Sequence, residues 1–185
     1  MRQIFSILAF AGLMVACGST ETKTETKSID IQKAESNTMN KKEIVGTFLG
    51  AVAKQDTSTM RAMANEDYIQ HNPFVPTGLE PFIGMLPVLK EYGTYAENVR
   101  MFEDGNYVFM HNIWKNATPF GADEMVAFDI IRVDENGKVA EHWDAMTVLV
   151  KETASGRTQT DGPVTATDLD KTEANKAIAK SMVED

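Results

Sequence analysis

Val126-Ala127-Phe128-Asp129-Ile130-Ile131-Arg132-Val133 runs into Asp134-Glu135-Asn136-Gly137-Lys138 and leaves again as Val139-Ala140-Glu141-His142-Trp143-Asp144. Both flanks are rich in β-branched and aromatic residues, and Asn-Gly between such flanks is a strong hairpin signal. The stretch predicts two antiparallel strands, Met125 to Val133 and Val139 to Val150. A two-residue turn at Asn136-Gly137 sets Ile131 opposite His142 and Asp129 opposite Asp144, whereas a four-residue loop sets Asp129 opposite His142. In both registers Asp129, His142 and Asp144 share one face of the sheet, and only an odd-numbered loop would separate them.

Upstream, Val99 to Phe102 and Tyr107 to Trp114 read as further strands, punctuated by Asp104-Gly105-Asn106. Before them the period changes. Asn40 can cap a helix in which Ile44, Val45, Phe48, Leu49 and Val52 form one apolar stripe. A short helix after Asp56 carries Met60 and Met63, and Tyr68 to Pro76 is extended chain and loop. Thr77 to Glu80 fits a capping box for a helix that reaches about Tyr92, with Pro87 as a kink. Helices followed by a meander mean α+β, with a curved antiparallel sheet wrapped around the N-terminal helices as a cone.

Outside this domain, set at residues 39–152, the chain changes character. Arg2, the short apolar run Ile4 to Leu13 and Met14-Val15-Ala16-Cys17-Gly18 read as a leader. The run is too short for the roughly twenty residues that span a bilayer. Residues 1–16 are expected to be a removed signal, with the only cysteine, Cys17, as a lipidation site anchoring the protein to a membrane. Gly18 in place of Asp points to an outer-membrane lipoprotein facing the periplasm. Residues 17–38, rich in Thr, Ser, Lys and Glu, are a tether. Residues 153–167 are a linker, and residues 168–185 form an amphipathic helix with Ala174, Ile178 and Met182 aligned and Thr167 and Asp170 spaced as a cap pair. That helix either packs on the sheet or another subunit, or begins a truncated repeat of the domain. A net charge of −9 without basic clusters argues against nucleic acid as a partner.

The chemistry-bearing residues are few. Asp129 lies in an apolar strand, where an unpartnered carboxylate is costly, so it needs a partner or a solvated pocket. His142 across the hairpin supplies one, and the pair is suited to moving a proton near neutral pH. The alternative is a satisfied buried network, with Asp144 solvated at a rim. His111 and His71 are also expected to face a cavity, Tyr68 to offer a hydroxyl and Trp143 to form wall. No local metal-ligand motif is present, and neither a metal nor a cofactor is expected.

Tyr68-Ile-Gln-His-Asn-Pro73, Val126 to Val133 and Gly137-Lys-Val-Ala-Glu-His-Trp-Asp144 together resemble the SnoaL-like polyketide cyclase family of the nuclear transport factor 2-like superfamily. The resemblance covers about Met39 to Val150. It implies a deep apolar pocket, frequent dimers, and aldol-type ring closure without metal or cofactor, with an acidic residue as acid/base. Relatives isomerise steroids, open epoxides or bind ligands without chemistry, so the fold does not fix the reaction. Three functions follow as expectations. The first is a cofactor-free enzyme acting on a small apolar carbonyl compound through Asp129, His142 and His111, with Tyr68, His71, Asp144 and Trp143 holding the substrate. The second is a non-catalytic lipoprotein that binds a small apolar molecule. The third is an envelope module that uses the open sheet face to form a homodimer or dock a partner.

Overall fold

Asn40 starts the fold. Its Oδ1 accepts the Glu43 N–H and the Glu43 carboxylate accepts the Asn40 N–H, both at 2.9 Å, closing a capping box on helix α1 (Lys41–Lys54). Ile44, Val45, Phe48 and Ala51 are buried, while Leu49 and Val52 of the same stripe are half-buried because they face a cavity. Asp56 caps α2 (Thr57–Met63), and β1 (Ala64–Gln70) follows directly. α3 (Leu79–Tyr92) continues through Pro87. The capping box expected for it does not form. The helix begins at Gly78, with φ +98°, where a Cβ would come within 3.2 Å of the Pro81 ring. Thr77 Oγ1 instead accepts the Gln70 N–H at 3.1 Å, and Glu80 pairs with Arg61 at 2.6 Å. The computed structural model describes residues 39–184; the expected leader, Cys17 and the tether lie outside the described residues.

Strands β2 (Tyr95–Asp104), β3 (Tyr107–Lys115), β4 (Glu124–Val133) and β5 (Val139–Val148) complete a five-stranded sheet in the order β1-β5-β4-β3-β2. The fold is α+β, a curved sheet with helices, as expected. The meander is antiparallel, and β1 adds a parallel pairing to β5 that brings Gln70 beside His142.

The β4–β5 connection is a three-residue loop, Glu135-Asn136-Gly137. Asp134 N–H donates to Lys138 C=O at 2.9 Å, Gly137 N–H donates to Asp134 C=O at 3.1 Å, and Gly137 takes φ +76°. An odd loop by itself inverts the second strand. Here a bulge cancels the inversion: Val133 pairs with Val139 but Arg132 pairs with Glu141, leaving Ala140 as an extra residue. Two odd steps make an even one. Beyond the bulge the register is that of a two-residue turn, with Ile131 opposite His142 and Asp129 opposite Asp144.

Phe48, Tyr68 and Phe82 meet with ring centroids 6.0–6.4 Å apart between helices and sheet. After β5 the chain returns toward β2 as a strap. Gln159 accepts the Val150 N–H at 2.6 Å, and the Arg100 guanidinium donates to the carbonyls of Thr160 (2.6 Å) and Asp161 (2.9 Å). α4 (Thr172–Ser181) follows a 3-10 turn, Leu169–Lys171. Lys171 precedes it with no side-chain cap bond, so the expected Thr167–Asp170 cap is not made. Lys176 meets Asp104 at 2.6 Å, while Ile178 and Met182 are 62% and 80% exposed, so the helix does not pack its apolar stripe on the sheet. Among the described residues no helix is long and apolar enough to cross a membrane.

Candidate functional site

A cavity of about 650 Å³ lies between α1, α3 and the inner face of the sheet. Its walls are apolar: Phe48, Leu49, Val52, Phe82, Leu86 and Met110 among others. The floor is polar. Asp129, His142 and Asp144 all line it, because the register of β4 and β5 gives them one face.

Each floor group is held by an amide. Asn98 donates to the Arg100 carbonyl (3.1 Å) and to Asn112 Oδ1 (2.8 Å), which leaves Asn112 Nδ2 to donate to Asp129 Oδ2 at 2.6 Å. On the other side Gln70 Oε1 accepts the Asn72 backbone N–H at 3.0 Å, which fixes its orientation. His142 Nδ1, 2.9 Å from the same oxygen, must therefore carry a proton and donate it. His142 Nε2 lies 3.1 Å from Asp129 Oδ1. With Nδ1 already protonated, a hydrogen bond here requires one further proton shared between Nε2 and Oδ1. The pair is imidazolium with carboxylate, or neutral imidazole with carboxylic acid. In either form it is neutral overall, which suits an aspartate only 3% exposed.

Asp144 differs. Its Oδ2 accepts the Asn72 side-chain amide at 2.6 Å, and Oδ1 has no hydrogen-bond partner among the described residues. Burial raises its pKa above the usual carboxylate value, and the Asp129 charge adds to this, against the opposing Asn72 bond and His142 charge. Tyr68 accepts from Gln70 Nε2 at 3.1 Å, which leaves its own O–H free to donate. Burial first, then the Asp144 and Asp129 charges, push the phenol pKa up, so it stays protonated. Ligand atoms of Asp129, His142 and Asp144 lie within 4.8 Å of one another and could supply a divalent cation with one nitrogen and two oxygens. Such an ion would have to displace the shared proton.

Three residues expected at the cavity sit elsewhere. His111 is opposite Phe128 and stacks on it (4.2 Å, 17°), on the outer face, while its neighbours Met110 and Asn112 line the cavity. Its two ring nitrogens are buried without partners, and burial, then the Arg100 charge, lower its pKa. Trp143 alternates with His142 and Asp144 and so also faces outward. His71 stacks on Trp143 at 5.0 Å and bonds Glu141 at 2.9 Å; it follows the last residue of β1 and likewise misses the cavity. Glu141, held by His71 and by Arg132 (2.9 Å), has a lowered pKa, first through the His71 bond. Conversely Gln70, Asn72, Asn98 and Asn112, which orient the floor, were not anticipated. An amide inside an apolar strand, as Asn112 in Val108 to Ile113, was the one signal available for them.

A family model described as a SnoaL-like domain matches residues 45–142. An NTF2-like protein of unknown function from Cytophaga hutchinsonii superposes with a TM-score of 0.50 at 15% identity, covering 60% of this chain and 94% of that one. An uncharacterised cystatin-fold protein from Novosphingobium aromaticivorans gives a TM-score of 0.50 at 17% identity, covering 58% of this chain and 99% of that one. No curated protein matches. The matched segment is more than half of the chain and contains Tyr68, Asn112, Asp129 and His142, so the chain belongs to the SnoaL-like domain family.

Proposed function

We propose that this protein binds a small, apolar, carbonyl-bearing compound in its cavity and moves a proton on the carbon beside the carbonyl. Asp144 is the acid/base group. The observation that carries this reading is the contrast between the two floor aspartates. Both oxygens of Asp129 are engaged, by His142 and Asn112, whereas Asp144 keeps one oxygen free at the cavity. Its raised pKa brings it closer to the operating range of a general base. Asp144 takes the proton while the carbonyl oxygen, gaining negative charge, accepts from Tyr68 O–H or from the proton shared by His142 and Asp129. Asp129 then acts as a positioning residue, which revises the base role expected for it.

The test uses deuterium exchange into the α-carbon of an apolar ketone, 2-decanone, followed by mass spectrometry. Asp144→Asn is expected to slow exchange by about 10²–10⁴-fold with the fold intact. Exchange unchanged in that variant would overturn the assignment. Absence of exchange in the unaltered chain would leave a binding protein without chemistry.

We also propose, from the sequence, that the domain sits in the cell envelope, tethered through Cys17 on the outer membrane. Its support is the Met14-Val15-Ala16-Cys17-Gly18 motif behind a short apolar run. Mass spectrometry of the mature N-terminus tests it, and an unlipidated start residue contradicts it.

A further inference from the structure

The cavity has lysines at its mouth and an ionisable carboxylate, Asp144, at its floor. Most of its exposed lining residues, Ala53 and Lys54 on α1, Lys90 and Gly93 at the end of α3, and Tyr95 and Ala96 on β2, mark the mouth; the other two, Gly46 and Asn98, are uncharged. The only charged side chains among the mouth residues are the two lysines, and neither makes a salt bridge among the described residues. Lys54 and Lys90 stand in the last turns of their helices, where a cation also offsets the partial negative charge of the helix end. The two helices are joined near these lysines by Gln55 Nε2, which donates to the Leu86 carbonyl at 2.7 Å and helps to set the spacing of the lysine backbones. At the floor stand Asp144 and the neutral Asp129–His142 pair, which give that end a net negative charge whenever Asp144 is ionised. Between the ends the walls are apolar.

From this polarity we infer that the ligand is a monoanionic amphiphile: an apolar body in the cavity with a carboxylate or similar anionic head held at the mouth by Lys54 and Lys90. An anion driven to the floor would lose hydration and meet the Asp144 carboxylate, whereas at the mouth it stays hydrated beside two cations. The charges thus set the direction of entry, head outward and chain inward, and deliver the apolar body to the proton-handling floor. The whole protein carries a charge of −9, so attraction for an anion at this mouth is local. The inference rests on the cavity being a ligand site, and names the class of ligand that site takes.

Isothermal titration of the full chain with decanoate, decanol and decylammonium, which share a body and differ in head charge, tests it. Decanoate is expected to bind most tightly, and its affinity to weaken as salt rises. Lys54→Gln with Lys90→Gln is expected to weaken decanoate about tenfold, toward decanol, and to leave decanol unchanged. Decanol or decylammonium binding as tightly as decanoate, or a double variant that leaves decanoate unaffected, would overturn the head-group assignment alone. Failure of all three to bind would overturn the ligand site with it.

Discussion

The two faces of one sheet carry different fates for the same residue types. Inside, His142 has both nitrogens bonded, to Gln70 and Asp129, and lies at a cavity floor. Outside, His111 has neither nitrogen bonded and lies against Phe128 and near Arg100. Nothing in the immediate neighbours of either histidine announces this. The difference is one of parity: which residues of β3, β4 and β5 point inward depends on turn lengths and bulges some distance away. A proton-handling site here is therefore a product of register.

The largest effect should come from breaking that parity. Inserting one alanine between Glu141 and His142 keeps the loop and the bulge, so His142 and Asp144 turn outward and Asp129 loses its partner. A buried carboxylate stripped of its partner costs about 3–5 kcal/mol, and urea unfolding should show a loss of at least about 3 kcal/mol. Deleting Ala140 instead removes the bulge but leaves Ile131 opposite His142 and Asp129 opposite Asp144. That deletion should cost much less stability than the insertion. An insertion that is tolerated, or a deletion of Ala140 as costly as the insertion, would contradict the register argument.

A smaller effect sharpens the comparison from the outer face. The pKa of His111 is depressed by burial, so its neutral form contributes stability that is present above its unfolded value of about 6.5 and is lost as pH falls through the lower folded value. His111→Phe removes the titrating group and two unpaired buried nitrogens. Its melting temperature should fall less than that of the unaltered chain as pH drops below about 6.5, and ketone exchange should be unchanged. A loss of exchange in this variant would return His111 to the reaction.

Much of this was legible in the sequence, and the failures have physical causes. Strand composition and the Asn-Gly turn located β4 and β5, and the embedded aspartate flagged the site. The loop was not a two-residue one: Asp134 accepts the N–H groups of Asn136 and Lys138, both at 2.9 Å, and stabilises a three-residue turn. The same-face placement survived only because Ala140 compensates. The outward turn of His111 was hidden because β3 and β4 are joined through a 3-10 turn, Thr118–Phe120, whose irregular path gives no parity rule. The partners Gln70 and Asn72 come from β1 and the loop after it, which reach β5 by a parallel pairing seventy-odd residues away in the chain. Such long-range pairing leaves no local pattern.

The shared proton is the centre of the account, and the ring nitrogens of His142 report on it directly. Nitrogen-15 NMR of the imidazole near pH 7, with couplings that identify the protonated atom, should find Nδ1 carrying hydrogen, held by Gln70, and Nε2 in a hydrogen bond with Asp129. A bare Nδ1 with the proton on Nε2 alone would contradict it.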